Sequence, residues 1–151
     1  MNRSAIVWGV LASILLGACA SATTIGIGVG VEPTEILMVN ALTEISIGPS
    51  FDLRAEAGFA TGELAGLMLA TATILYHVPV PPFDPFIGIG GGAAVTPPPF
   101  STGIVAEGVA GLRVIPIESV AVFAQVRFLV RWSGDGVTTG PIYEAGVQLR
   151  F

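Results

Sequence analysis

Charged residues are scarce in this chain, and lysine is absent. Of its 151 residues, 11% are charged and 52% are hydrophobic, whereas roughly 25% of the residues in a soluble domain are charged. So few charges do not keep a large surface in water, and part of the surface is therefore expected to contact lipid or a partner. The formal net charge of −5 argues against nucleic acid as that partner, because phosphate binding needs a basic surface.

Cysteine and histidine occur once each, as Cys19 and His77. A single cysteine excludes an intrachain disulfide, and no cluster of His, Cys, Asp and Glu has the spacing of a metal site. No serine in the predicted strands is an obvious nucleophile for His77. The glycine-rich segment 88–92 lacks the Gly-Lys-Ser/Thr of a phosphate loop. We therefore expect no enzymatic activity, no metal and no cofactor.

Residues 1–22 have the pattern of a secretory signal peptide. Arg3 is followed by an apolar run at residues 5–16 and by small residues at 18–22. The run is too short to cross a bilayer as a helix, which needs about 20 residues, so we predict an exported protein with one domain at 23–151. Residues 16–19, Leu-Gly-Ala-Cys, also resemble a bacterial lipobox, whose cysteine is acylated and becomes the first residue. Two outcomes stay open for Cys19: lipidation, or removal with the signal peptide.

Proline and glycine interrupt the remaining sequence at intervals. Proline cannot donate a hydrogen bond to a β-ladder, so the eleven prolines are interpreted as marking strand ends. The intervals between them, with two glycine-containing breaks, predict eight strands near residues 24–32, 35–48, 51–60, 65–78, 85–95, 103–115, 119–132 and 140–151. Apolar residues alternate with polar or glycine residues along them, and β-branched residues are frequent, which favours strands over helices. The predicted fold class is all-β.

The alternation gives each strand an apolar face, which carries no charge, and a second face of charged, polar and glycine residues. This second face consists mainly of glycine in the segments 26–30 and 88–92, so it is too poor in polar groups to be the water-exposed surface of a soluble carrier barrel. We therefore predict a transmembrane eight-stranded antiparallel β-barrel, apolar outside and polar inside. Some apolar residues interrupt the second face: Leu75, Phe86, Val105, Val109, Phe123 and Leu129.

Ten charged residues fall on the inward face and are predicted to form a nearly neutral lumen charge network: Glu44, Asp52, Arg54, Glu56, Glu107, Arg113, Arg127, Arg131, Glu144 and Arg150. The remaining acids, among them Asp84, are placed in turns or at strand ends. If the last three strands pair as hairpins, Arg127 lies near the level of Glu107 and Glu144 and its guanidinium can donate to both. Such a network could gate a pore, but an eight-stranded barrel is only wide enough for side chains to fill it, which favours a plug. His77 is interpreted as a satisfied interior or interfacial histidine.

Four segments are similar to the OmpA-like family of small eight-stranded outer-membrane β-barrels of Gram-negative-type bacteria: residues 51–58, 85–92, 108–113 and 149–151. The resemblance covers about residues 25–151. It implies an up-and-down topology in the bacterial outer membrane, with both termini in the periplasm and the wall in contact with outer-membrane lipids. Such barrels present a terminal aromatic residue to the barrel-assembly machinery. Phe151 is therefore the expected assembly signal, and periplasmic chaperones are expected partners during biogenesis.

Three functions are compatible with such a barrel. A non-enzymatic structural or envelope-maintenance role is favoured. A narrow channel or transporter for small or apolar solutes is the alternative. A lipid-modifying enzyme is less favoured, because it needs a nucleophile paired with His77 that the sequence does not show. The predicted outer loops are short, whereas adhesins of this family usually carry long ones, which argues against a specific adhesion role.

Overall fold

A computed structural model describes residues 24–33, 37–60, 67–96, 101–134 and 136–151. The predicted signal peptide, its lipobox and Cys19 lie outside the described residues. Within the described ranges, no helix is both long and apolar enough to cross a membrane.

Eight strands form one closed sheet in which each strand is antiparallel to the next and β8 pairs with β1. The strands are β1 (Thr24–Val31), β2 (Leu37–Gly48), β3 (Phe51–Ala60), β4 (Met68–His77), β5 (Phe83–Thr96), β6 (Ser101–Ile117), β7 (Val120–Ser133) and β8 (Gly136–Arg150). The predicted eight-stranded antiparallel up-and-down barrel is confirmed. We call the end that holds Thr24 and Phe151 the termini end, and the opposite end the far end.

Side chains point alternately into the lumen and out of the wall. In β1 every second residue from Thr24 is buried, while Ile25, Ile27, Val29 and Val31 are exposed. In β3 the charged residues of the strand are buried, whereas Phe51, Leu53 and Phe59 are exposed. The orientation predicted from sequence, with apolar residues outside and charged residues inside, is therefore confirmed.

Exposed aromatic side chains lie near both ends of the wall. At the termini end they are Phe51, Tyr76, Phe83 and Phe151. The rings of Phe51 and Tyr76 are neighbours, with centroids 5.3 Å apart. At the far end the exposed aromatics include Phe59 and Trp132, while Phe128 and Tyr143 are exposed nearer the middle of β7 and β8. Aromatic residues at two levels that flank an apolar band are typical of a barrel crossing a bilayer.

Three prolines predicted to lie at strand ends are found within strands instead. Pro85 is the third residue of β5, Pro116 lies in β6 and Pro141 lies in β8. The β4–β5 ladder ends at the pair His77↔Phe86, so Pro85 lies one residue beyond it. Pro116 lies in the register shift of the β6–β7 ladder between Val114 and Ile117. Pro141 lies past the last β1–β8 pair. Each position has a neighbouring strand on one side only or an interrupted ladder, so a missing N–H is tolerated there.

Candidate functional site: the filled lumen

Buried polar side chains fill the part of the lumen nearer the termini end. Eight of the ten predicted network residues are buried there: Glu44, Asp52, Arg54, Glu56, Glu107, Arg113, Arg127 and Glu144. Two are not part of this cluster, which corrects the prediction. Arg131 is half-buried near the far end of β7, and Arg150 is exposed as the last residue of β8. Both follow the inward alternation, but each lies so close to a strand end that its side chain reaches the rim.

One group of charges is centred on Arg113 near the termini end. Its Nη1 atom lies 3.2 Å from Glu44 Oε2, 3.4 Å from Asp52 Oδ2 and 3.5 Å from Asp84 Oδ2. Glu44 is shared with Arg54, which donates from Nε at 2.8 Å and places Nη2 2.7 Å from the same Oε1 atom. Two guanidinium groups therefore bind one carboxylate, a charge-assisted arrangement that is strong where water is excluded.

A second group is centred on Arg127, which is 0% exposed. Its Nη2 donates to Glu107 Oε2 at 2.5 Å, and its Nη1 donates to Glu56 and lies 3.6 Å from Glu144 Oε2. Thr71 accepts a further bond from Arg127 at 3.3 Å. The sequence predicted the contacts with Glu107 and Glu144, whereas Glu56, which reaches Arg127 from β3, was not predicted as its partner.

Glutamine and threonine side chains join and complete the two groups. Gln125 accepts from Arg54 Nη1 at 2.6 Å and donates to Glu144 Oε2 at 2.9 Å, so it links the first group to the second. Gln148 donates to Glu44 at 3.1 Å. Thr73 donates to Glu107. These residues were not included in the predicted network, although all of them follow the inward alternation of their strands.

Two buried aromatic rings pack against the arginines. The Phe86 ring lies 5.2 Å from the guanidinium carbon of Arg54 and 5.0 Å from that of Arg113. The Phe123 ring lies 5.9 Å from Arg54. Both phenylalanines had interrupted the polar face in the sequence. They are inward-facing, and their ring faces contact the cations, an interaction worth about 0.5–2 kcal/mol each depending on desolvation.

His77 and Asp84 close the network at the termini end. His77 Nδ1 lies 3.0 Å from Asp84 Oδ1, and Nε2 lies 3.7 Å from Asp52 Oδ2. Asp84 lies at the start of β5, as predicted, but it is 3% exposed and belongs to the network, in which the sequence did not place it. Strand β5 begins at Phe83, two residues earlier than predicted, and the alternation then directs Asp84 into the lumen.

The buried acidic and basic side chains of the lumen are not present in the equal numbers that the sequence predicted. The described residues that are buried and charged are Glu44, Asp52, Glu56, Asp84, Glu107, Glu144, Arg54, Arg113 and Arg127. Six carboxyl groups thus face three guanidinium groups, because Asp84 joins the network and Arg131 and Arg150 do not. Around Arg127, three carboxyl groups share one cation, and the hydroxyl and amide donors named above supply part of their remaining hydrogen bonds. Among the described residues no group of three or more His, Cys, Asp or Glu is arranged to hold a metal ion.

Apolar side chains fill the lumen nearer the far end. The buried cluster consists of Met38, Ala60, Leu67, Leu69, Ala94, Val105 and Ile142, with Leu129 packed against it. This half was not predicted. Val105 and Leu129 interrupt the polar face in the sequence. The occurrence of several apolar residues on that face, at the same end of their strands, was the signal that could have predicted this apolar half. The far end of the interior is therefore mainly apolar, whereas the termini end combines the charge network with a smaller apolar cluster of Leu75, Phe86 and Val109.

No family model and no curated protein matches the sequence. Solved structures do match it. The chain aligns with neisserial surface protein A, NspA, at a TM-score of 0.65 and 15% identity, over 85% of this chain and 94% of that one. It aligns with the N-terminal β-barrel domain of Pseudomonas aeruginosa OprF at a TM-score of 0.66 and 14% identity, over 86% and 98%. It aligns with a de novo designed transmembrane β-barrel at a TM-score of 0.67 and 13% identity, over 87% of this chain and 96% of the designed one.

The chain has the fold of the OmpA-like small eight-stranded outer-membrane barrels. At identities this low the likeness concerns the backbone, so the contents of the lumen must be interpreted from this chain's own residues. Among the residues that the structure describes, the polar groups of this barrel are concentrated in the lumen network. The two ring nitrogens of His77, at the termini end of this network, lie 3.0 Å from Asp84 Oδ1 and 3.7 Å from Asp52 Oδ2.

Proposed function

We propose that this protein is a non-enzymatic barrel of the bacterial outer membrane whose lumen is closed by its charge network, with a structural role in the cell envelope. The observation that carries the proposal is the complete burial of Arg127 among carboxyl groups from three other strands. An eight-stranded barrel has an interior just wide enough for side chains to fill it. We therefore expect a guanidinium held at its centre to block the passage of ions.

The network closes the lumen because its contacts run across the barrel. In a ring of eight strands, those four positions apart lie opposite each other. Arg127 on β7 binds Glu56 on β3, and Arg54 on β3 binds Gln125 on β7. Arg113 on β6 contacts Glu44 on β2 in the same way. Opposite walls are therefore tied together at two levels, which supports a plug rather than a gate that must move aside.

The outer surface supports a location in a membrane, and the fold of the matched natural barrels supports the outer membrane of bacteria. The wall presents apolar residues between two levels of aromatic side chains. We propose export through the signal peptide at 1–22 and a periplasmic position of both termini. Phe151, which is 81% exposed at the end of β8, is available as the contact for the barrel-assembly machinery.

Planar-bilayer recording tests the closed lumen. We expect the purified protein to insert without producing steady ion currents, and we expect Arg150→Gln, a charge change outside the network, to behave identically. A large and steady current from the unmodified protein would contradict the proposal and would favour a narrow channel. Insertion must be shown independently, by a folded band that migrates faster than the boiled protein on a gel.

A further inference from the structure

Three carboxyl groups converge on one guanidinium in the middle of the lumen. Glu56 and Glu144 both approach Nη1 of Arg127, and Glu107 lies 2.5 Å from its Nη2. The side chains of the three acids are at most 4% exposed. If all three were ionised, the group would carry three negative charges against one positive charge. Carboxyl groups that share one buried site do not all ionise readily, because like charges repel strongly where water is excluded.

The surrounding side chains supply no further cation to these three acids. In the β-ladders, every cross-strand neighbour of the three acids is uncharged: Leu42 and Thr71 beside Glu56, Gly90 and Leu129 beside Glu107, and Gly30 and Gln125 beside Glu144. The other charged groups buried in the described part of the lumen contact one another: Arg54 with Glu44, Arg113 with Glu44, Asp52 and Asp84, and His77 with Asp52 and Asp84. The excess of carboxyl groups is therefore concentrated around Arg127.

A buried amide without a hydrogen-bond partner lies beside this group. Asn40 is 1% exposed, and neither its Oδ1 nor its Nδ2 has a partner among the described residues. Asn40 is the cross-strand neighbour of Gly28, and Glu144 Oε1, which also lacks a partner, lies against the same glycine. A carboxylate oxygen only accepts hydrogen bonds, whereas a protonated carboxyl group also donates one. A proton bound here would therefore add a donor beside two buried oxygens that lack one.

We infer that Glu56, Glu107, Glu144 and Arg127 form a proton-binding site that retains at least one proton at neutral pH. The proton belongs to the three coupled carboxyl groups together, not to one of them. Glutamate carboxyl groups in an unfolded chain lose their protons at about pH 4.3. Folding at neutral pH is therefore coupled to proton uptake. Because the native barrel binds more protons than the unfolded chain, its stability falls as the pH rises.

Infrared spectroscopy tests for the proton directly. With the folded protein in ²H₂O at neutral pH, in a detergent that contains no carbonyl group, we expect the carbonyl stretch of a protonated carboxyl group. Glu144→Gln should reduce this band. Glu118→Gln, the same change at an exposed position in the β6–β7 turn, should leave it unchanged. Absence of the band from the unmodified protein, or equal intensity in Glu144→Gln, would overturn the inference. The measurement on the unmodified protein remains decisive if Glu144→Gln fails to fold.

The pH dependence of unfolding tests the coupling to folding. One proton bound only by the native state raises the unfolding equilibrium constant about tenfold for each pH unit, here between about pH 5 and pH 7. In urea unfolding at several pH values, this slope should be smaller in Glu144→Gln by about a factor of ten per pH unit, and unchanged in Glu118→Gln. His77 titrates in the same range but is present in all three proteins, so the difference between them isolates the Arg127 group. Equal slopes in Glu144→Gln and the unmodified protein would overturn the inference.

Proton binding at this site is independent of whether the lumen conducts ions. A steady current in a planar bilayer would contradict the closed lumen and leave the infrared band in place. Absence of the band, without a current, would remove the proton and leave the closed lumen.

Discussion

Replacement of Arg127 by methionine is expected to destabilise the barrel strongly. Methionine retains much of the length and volume of arginine but removes the guanidinium that contacts Glu56, Glu107 and Glu144. Those three carboxyl groups are themselves at most 5% exposed. The variant therefore leaves negative charge buried and unpaired, rather than simply losing a favourable contact.

The magnitude follows from this burial. Removal of one partner from a buried ion pair costs about 3–5 kcal/mol, and here a single cation serves three carboxyl groups. We expect Arg127→Met to lose at least about 3 kcal/mol of the free energy of unfolding. A triple variant, Arg127→Met with Glu56→Gln and Glu107→Gln, should recover part of the loss. It removes two of the unpaired charges, and replacement of a buried ion pair by neutral groups is often close to neutral.

Equilibrium unfolding by urea in lipid vesicles measures this difference. Trp132, exposed at the far end of β7, reports the loss of the membrane environment by its fluorescence, and gel mobility of unheated samples reports barrel closure. A loss of less than about 1 kcal/mol for Arg127→Met, the range of exposed ion pairs, would refute the buried network. A triple variant less stable than Arg127→Met would show that the destabilisation does not arise from unpaired carboxyl groups.

Three further outcomes are expected. Gly92→Ala should lower the free energy of unfolding by about 1–3 kcal/mol, because the added Cβ would overlap the carbonyl oxygen of Ala70. In the control Gly108→Ala the added Cβ meets open space, so the free energy of unfolding should change by less than about 0.5 kcal/mol. Arg150→Gln should also remain within about 0.5 kcal/mol, since the side chain is exposed; a loss comparable to that of Arg127→Met would return Arg150 to the network. Removal of the aromatic ring in Phe151→Ala should reduce the amount of folded barrel in cells while leaving refolding into detergent unchanged; normal assembly in cells would reject Phe151 as the assembly signal.

The architecture of the wall could be predicted from the sequence because alternation with a period of two is a local property. The strand of Phe51–Ala60, for example, shows in its own ten residues which side chains face the lumen. Strand ends were less certain. Asp84 was left out of the predicted network because the strand was expected to start at Pro85, although a proline without a neighbour on its N–H side continues a strand.

The pairing within the lumen could be predicted only in part. Contacts between strands adjacent in sequence follow from a hairpin register, and the approach of Glu107 and Glu144 to Arg127 was anticipated in this way. The contact of Arg127 with Glu56 crosses the lumen from β7 to β3. Whether two residues on opposite strands lie at the same height depends on the stagger of the strands in the closed barrel, and the sequence of one strand does not determine that stagger. The apolar half was missed for a related reason, since Met38 and Val105 become neighbours only when the barrel closes.

The contacts between opposite walls also constrain how this protein can reach its native state. An open sheet of β1 to β6 would hold Glu56 without Arg127, the guanidinium that binds it from β7, and an uncompensated carboxylate is costly in hydrocarbon. Partly inserted sheets therefore gain little until the last strand joins the first. We expect insertion and closure to occur together, in a single cooperative step, with the polar face kept hydrated until the ring is complete.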